Sequence, residues 1–403
     1  MPFAAGRHYL AIPGPSVMPD RVLQAMHRAA PNIYEGDLIR LTESLVPDLC
    51  ALAGTRHHVA IYITNGHGTW EAAVSNLFQA GDKVLVLATG VFAPGWGEMA
   101  SALGIDVEIM DFGKRAAVDL DRVAERLATD TERDIKAVMC VQVDTGTSVR
   151  NDVAGIRAVL DRSDHPALLM ADCIATMGCE EFRMDAWGVD VTVAASQKGL
   201  MTPPGLGFVW FNDKAAKIRD GLPRVSRYWD WKPRVAPKLF SQYWNGTAPT
   251  HHLFGLREAL DMIAEEGLDN VWARHSAIAG AYWAAFETWE APGGVSLNIA
   301  DRAKRSCAVT ALRCTAPSAT ALRDWMQDVA GVTLGIGLGM AQPDDPAWHG
   351  FFRVGHMGHV NAHMAMGVIG ALDAALKAND IPHGEGAVEA ASAFLAKQSK
   401  AAG

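Results

Sequence analysis

The sequence predicts an α/β protein, with a large domain on a mostly parallel sheet followed by a smaller α+β domain at the C-terminal end. Three observations carry this. Short β-branched apolar runs alternate with longer amphipathic segments over the first half of the chain, the pattern of βαβ units. Several of those runs are continuously apolar, as strands buried on both faces require. The chain has 403 residues, 49% hydrophobic and 20% charged, enough for roughly two to three domains and a large core.

In chain order, strands are expected at Val59–Thr64, Lys83–Ala88, Ala137–Val143, Ala167–Ala171, Val189–Ala195 and Gly207–Phe211. Helical patterns lie between several of them, at Thr69–Gln79, Gly95–Leu103, Leu120–Ala128 and Ile156–Arg162. Near Asp213 the alternation stops and a Pro- and Trp-rich stretch, Leu222–Pro249, takes over. A helical pattern then runs from His252 to Glu266 and continues to about Glu290. The expected division is an N-terminal arm (1–20), a large domain (21–275) and a small C-terminal domain (276–403).

A formal net charge of −9 argues against nucleic acid, whose binding needs a basic face, while leaving small anionic substrates open. The six cysteines form no C-x-x-C pair, so neither a disulfide framework nor a zinc ribbon is indicated. Met1–Leu10 lacks the apolar stretch of a signal peptide, and no run approaches ~18 apolar residues. A cytoplasmic protein without a membrane span is expected.

Ligands of open α/β sheets bind at the carboxyl ends of strands, so the residues after each strand come first. Gly66-His67-Gly68 forms a small-residue turn before a helix, fit for a phosphate or simply a tight βα turn. Asp172 ends an apolar run, where a carboxylate needs a positive partner unless it caps the next helix. Lys198, in Ser196-Gln197-Lys198-Gly199, ends another strand. A desolvated lysine there can attack carbonyls as a neutral amine, although a lone lysine at a sheet edge also snorkels. The polar turn Asp144–Ser148, with Thr147, can bind a phenolate or substrate oxygen, or cap a helix. Together, an anion site, a buried carboxylate and a lysine are what pyridoxal 5'-phosphate (PLP) needs for its phosphate, its pyridinium nitrogen and its Schiff base.

These residues stand in motifs that resemble the class V, fold type I, PLP-dependent aminotransferases, in particular the alanine–glyoxylate and serine–glyoxylate aminotransferases. The resemblance begins at Ile12-Pro13-Gly14-Pro15-Ser16 and runs through Gly66-His67-Gly68-Thr69-Trp70-Glu71 and Ser196-Gln197-Lys198-Gly199-Leu200. It ends at Phe352-Arg353-Val354-Gly355-His356-Met357-Gly358. It implies that Lys198 is the Schiff-base lysine and that Asp172 pairs with the pyridine nitrogen. Gly66, His67, Gly68 and Ser196 would hold the phosphate, and Phe92 would stack on the ring. Gln197 and Thr147 would contact cofactor or substrate, and Arg353 would grip the substrate α-carboxylate. Thr247 matches a position that reaches the phosphate of a neighbouring subunit, which implies a homodimer with shared active sites.

The implied reaction moves an amino group from a small amino acid (serine, alanine or aspartate) to a 2-oxo acid, foremost glyoxylate. Three places depart from the family pattern and bear on the donor: Trp244 beside Tyr243, Asn32-Ile33-Tyr34-Glu35-Gly36, and the Asp144–Ser148 turn. Two alternatives keep the same fold, a pyridoxamine–pyruvate-type aminotransferase and a PLP-dependent lyase. The run His349, His356, His359, His363 invites a metal reading, but Gly355 and Gly358 break its helical spacing, so no metal is expected.

Overall fold

The structure is a computed structural model that describes residues 3–401. Residues 1, 2, 402 and 403, the outer ends of the expected arm and small domain, lie outside the described residues. The strands, in chain order, are β1 (Tyr9–Ala11), β2 (His58–Thr64), β3 (Lys83–Ala88), β4 (Asp106–Asp111), β5 (Ile135–Val141), β6 (Leu168–Asp172), β7 (Val191–Ala195), β8 (Gly205–Phe211), β9 (Ser296–Leu297), β10 (Val309–Arg313), β11 (Val332–Ile336) and β12 (Phe351–Gly355).

Seven of them form a large sheet in the order β2-β8-β7-β6-β5-β3-β4. The block from β7 to β4 is parallel, whereas β8 runs antiparallel to both β7 and β2. Because β8 is reversed, β2 points the same way as the parallel block. The carboxyl ends of β2, β3, β5, β6 and β7 therefore share one edge of the sheet, where the site is built. Alternate residues of β3 feed opposite layers: Leu85 and Leu87 pack with Ile61 and Val138, while Val84 and Val86 pack with Trp70 and Trp96.

The second sheet, β1-β11-β12-β10-β9, is antiparallel except for the pairing of β1 with β11, and helices Leu268–Trp289 and Ala362–Ala378 pack on it. The core changes inside the first of those helices, where Val271 belongs to the large-sheet core and Ile278 to the small-sheet core.

The helical pattern expected from His252 to about Glu290 is in fact two helices, Thr250–Glu266 and Leu268–Trp289. Gly267, at φ +83°, ends the first in a conformation that other residues rarely adopt. The Trp-rich stretch folds back on its own chain. Trp231 stacks on Phe211 with ring centroids 4.0 Å apart, and Trp244 is buried. Arg234, also buried, donates to the carbonyls of Ile61, Tyr243 and Tyr228 between the rings of Tyr62 and Tyr228.

Candidate active site

A cavity of about 320 Å³ opens at the shared strand edge, with His67, Trp70, Phe92, Asp172, Gln197 and Lys198 on its wall. Each wall element follows from a local rule. After β2, Asn65 caps the helix Gly66–Ser75 by accepting from the Gly68 amide at 3.3 Å. Gly66 and His67 are left at the open helix start, beside the cavity, where amides and helix dipole favour an anion. Gly66 has little choice of residue, since a Cβ there would lie 2.5 Å from Ile174 Cδ1.

Asp172 closes β6 and is 2% exposed. Its Oδ2 accepts from Trp70 Nε1 at 2.7 Å and its Oδ1 from the Ile174 amide at 2.7 Å. These two bonds favour the anion, yet burial outweighs them and pushes the carboxyl up to about 7, with Asp144 adding to the rise. A carboxylate in this position is completed by a cation at its oxygens.

Lys198 follows β7 and is half-buried, its open side on the cavity. Its Nζ donates to the Pro13 carbonyl. Burial, then the neighbouring Arg353 charge, bring the amine down to about 8, against the pull of Asp172. Beside it, Gln197 Oε1 is buried with no hydrogen-bond partner among the described residues. An orphaned acceptor, an anion-binding helix start, a carboxylate lacking its cation and a lysine of lowered pKa together fit PLP.

Arg353 lies on β12, 6% exposed, behind the cavity wall. Its Nε donates to the Ile336 carbonyl at 2.6 Å and its Nη1 to the Thr145 carbonyl at 2.8 Å, which fixes the guanidinium plane. Burial lowers it to about 10, and the Asp144 carboxylate partly restores it. Asp144 also sets the turn after β5. Its Oδ1 accepts from the Gly146 and Thr147 amides, and its Oδ2 accepts from the Phe92 amide at 2.9 Å. Phe92 is thereby held at the start of its helix, with its ring centroid 6.3 Å from that of Trp70.

The residues expected from sequence thus divide. Gly66, His67, Phe92, Asp172, Gln197 and Lys198 line one cavity. Gly68 is engaged by its cap. Thr147 donates to the Thr89 carbonyl at 3.0 Å, and Thr145 is the threonine of that turn on the cavity wall. Ser196 is fully buried, donating to the Pro203 carbonyl at 2.7 Å and accepting from the Leu206 amide. Thr247 is exposed, away from this cavity.

Sequence reasoning gave no role of their own to Trp70, the Asp144 carboxylate or the Pro13 carbonyl, and it offered the hydroxyls of the Asp144–Ser148 turn while naming Thr147 rather than Thr145. Trp70 and Pro13 stood inside motifs, but a partnership between distant strand ends leaves no local signal. Of the four histidines of the suspected run, His349 pairs with Thr320, His356 pairs with Thr310 and the Cys307 carbonyl, and His359 and His363 line a separate surface cavity beside Tyr9. Among the described residues no group of three or more metal-ligating side chains is gathered, and no helix is long and apolar enough to cross a membrane.

The family model described as "Aminotransferase class-V" matches residues 8–322. A serine–glyoxylate aminotransferase of Methylorubrum extorquens is 34% identical over 97% of this chain and 96% of its own length. An L-aspartate–glyoxylate aminotransferase of Paracoccus denitrificans is 31% identical over 88% of this chain and 87% of its own. Among solved structures, a pyridoxamine–pyruvate aminotransferase of Mesorhizobium loti shares the fold, with a TM-score of 0.87, 24% identity, and coverage of 98% of this chain and 99% of that one.

Proposed function

The chain belongs to the class-V aminotransferases, which are PLP enzymes, and from this premise we propose that it moves the amino group of a small amino acid to glyoxylate. Serine, alanine and aspartate are the donors to try, serine first, because the relatives at up to 34% identity bear its name. The observation that carries the reading is the convergence of Lys198, Asp172 and the Gly66–His67 helix start on one cavity, with Arg353 behind Thr145.

Bound PLP supplies an electron sink for the negative charge left at Cα when the α-proton departs. Asp172 keeps a proton on the ring nitrogen, since a carboxylate this deeply buried is stable as an anion only beside a cation. Gly66 and His67 bind the phosphate through helix-start amides, and Phe92 bounds the ring. Gln197 is the neighbouring polar contact.

Lys198 would carry the cofactor and then, as a free amine whose basicity burial and Arg353 lower, take the α-proton on Nζ and hold it for return. Arg353 holds the α-carboxylate, its plane already set by two carbonyls. Ser196 and Thr147 shape their loops through hydrogen bonds within the chain. A second copy of the chain brings Thr247 to the phosphate, so the working unit is a homodimer with shared sites. The division at 275/276 belongs to the same reading.

The test is an absorption scan of PLP-loaded protein with each donor in turn, then glyoxylate, with products identified by mass spectrometry. Bleaching by one donor, release of its 2-oxo acid, and return of the band with formation of glycine support the proposal. A band that responds to pyridoxamine and to no amino acid overturns it.

A further inference from the structure

The N-terminal segment Ile12–Ser16 lies between the two cationic side chains of the site, Lys198 and Arg353. β1 ties it to the small sheet by parallel pairing with β11, next to the strand that carries Arg353. Ser16 ties it to the lysine loop, its amide donating to the Gln197 carbonyl at 2.8 Å and its hydroxyl to the Lys198 carbonyl at 2.7 Å. Between these anchors the Pro13 carbonyl accepts from Lys198 Nζ.

Packing here depends on absent side chains. A Cβ on Gly14 would lie 2.5 Å from Lys198 Cδ, 2.6 Å from Nζ and 2.7 Å from Cε. A Cβ on Gly335 would lie 2.6 Å from Pro13 Cδ, and one on Gly355 would run into the Ile12 carbonyl. The backbone therefore lies directly against the lysine side chain on one side and strands β11 and β12 on the other.

We propose that this segment is a positioning element for the reaction, in which the Pro13 carbonyl orients the free Lys198 amine and Gly14 lets it come close enough to do so. A carbonyl cannot give up a proton, so it engages an N–H of the amine in either charge state. In the neutral amine, fixing one N–H limits where the lone pair can point, and the open side of Lys198 is the cavity. The inference rests on Lys198 being the cofactor lysine and extends that reading to the stage at which its amine is free.

The test compares Gly14→Ala with Gly81→Ala. Gly14 has φ +94° and Gly81 φ +89°, but a Cβ at Gly81 meets nothing within 4 Å, so the second variant carries backbone strain without the collision. Misplacing a reacting group by about 1 Å costs on the order of 100-fold. The expected result is therefore a kcat fall of about 10- to 100-fold for Gly14→Ala at nearly constant KM, with Gly81→Ala turning over as wild type. On the ligand-free protein, the rate of Lys198 carbamylation by cyanate against pH, followed by peptide mass spectrometry, should shift its midpoint in Gly14→Ala only.

Ser16→Ala, which removes one anchor and leaves the backbone conformation unstrained, should lower kcat by about 3- to 10-fold, as loss of a single hydrogen bond implies. It decides the matter if Gly14→Ala does not fold. Wild-type kcat and carbamylation profile in Gly14→Ala, or in Ser16→Ala where it must decide, overturn the inference. If peptide mapping instead places PLP on another lysine of the wild type, it is the reading of the site that fails.

Discussion

The indole Nε1–H of Trp70 donates to Oδ2 of Asp172 at 2.7 Å, joining the helix after β2 to the end of β6. With Oδ1 accepting from the Ile174 amide at the strand end, the two bonds hold one oxygen each and fix the plane of the carboxylate, leaving each oxygen a lone pair for a further donor. A tryptophan on one strand connection thus orients the acid on another, and both stand on the cavity wall.

Trp70→Phe should keep the ring packing and lose this bond. A hydrogen bond to a charged group contributes about 1.5–3 kcal/mol, so kcat/KM should fall about 10- to 100-fold and PLP should dissociate more readily. Asp172→Asn, which removes the charge itself, should cost more, about 3–5 kcal/mol by the scale of broken buried pairs. Steady-state kinetics with PLP titration checks the order of the two.

Arg353→Lys should raise the KM of both substrates about 10- to 100-fold with a smaller change in kcat, because a lysine offers no planar fork and loses the contacts to Ile336 and Thr145. Arg353→Met should also raise the pKa of the Lys198 amine, since the arginine charge is one of the causes that lower it. Cyanate labelling against pH reads that shift.

His275 and His356 are buried neutral bases near the small sheet, brought down to about 4 and about 3 chiefly by burial. His275 Nε2 accepts from the Gly358 amide and His356 Nδ1 donates to the Cys307 carbonyl. In the unfolded chain both titrate near 6.5. Below that pH the unfolded state binds more protons, so their contribution to stability is complete above about 6.5 and declines as pH falls toward 4. The limiting slope is about 1.4 kcal/mol per pH unit for each histidine. Asp172, pushed up to about 7, works in the opposite direction when no cation faces it, so the informative quantity is a difference between variants. Denaturant midpoints of His356→Asn from pH 7.5 to 4.5 should show a shallower dependence than wild type.

How much of this was legible in the sequence depended on whether the signal was local. β3 was expected at Lys83–Ala88 and is found there, because a strand buried on both faces writes a continuous apolar run. β4, Asp106–Asp111, is a half-exposed edge strand carrying Asp106, Glu108 and Asp111, and its composition hides it. The long helix Asp37–Ala53 holds Pro47 in its interior, which reads as a break. Lys198 and Asp172 were visible because each ends an apolar run. Trp70 and Pro13 acquired roles only when separate connections met in space. The turn Asp144–Ser148 carries hydroxyls at Thr145, Thr147 and Ser148, and resemblance pointed to Thr147, whereas the folded turn puts Thr145 on the cavity wall and spends Thr147 on the Thr89 carbonyl.

Arg234 exemplifies the Trp-rich stretch, where composition conveyed no fold. Arg234→Met should leave the carbonyls of Ile61, Tyr243 and Tyr228 without their donor and destabilise the protein by at least about 2 kcal/mol, measured as a lowered urea midpoint.

The role proposed for Lys198 as carrier of the cofactor is open to direct chemical trapping. PLP-loaded protein should be reduced with borohydride, digested and mapped by mass spectrometry, alongside Lys198→Ala treated in the same way. A phosphopyridoxyl group is expected on the peptide containing Ser196-Gln197-Lys198-Gly199 in the wild type and none in the variant. The same group on any other lysine of the wild type, or its persistence in Lys198→Ala, would rule that role out.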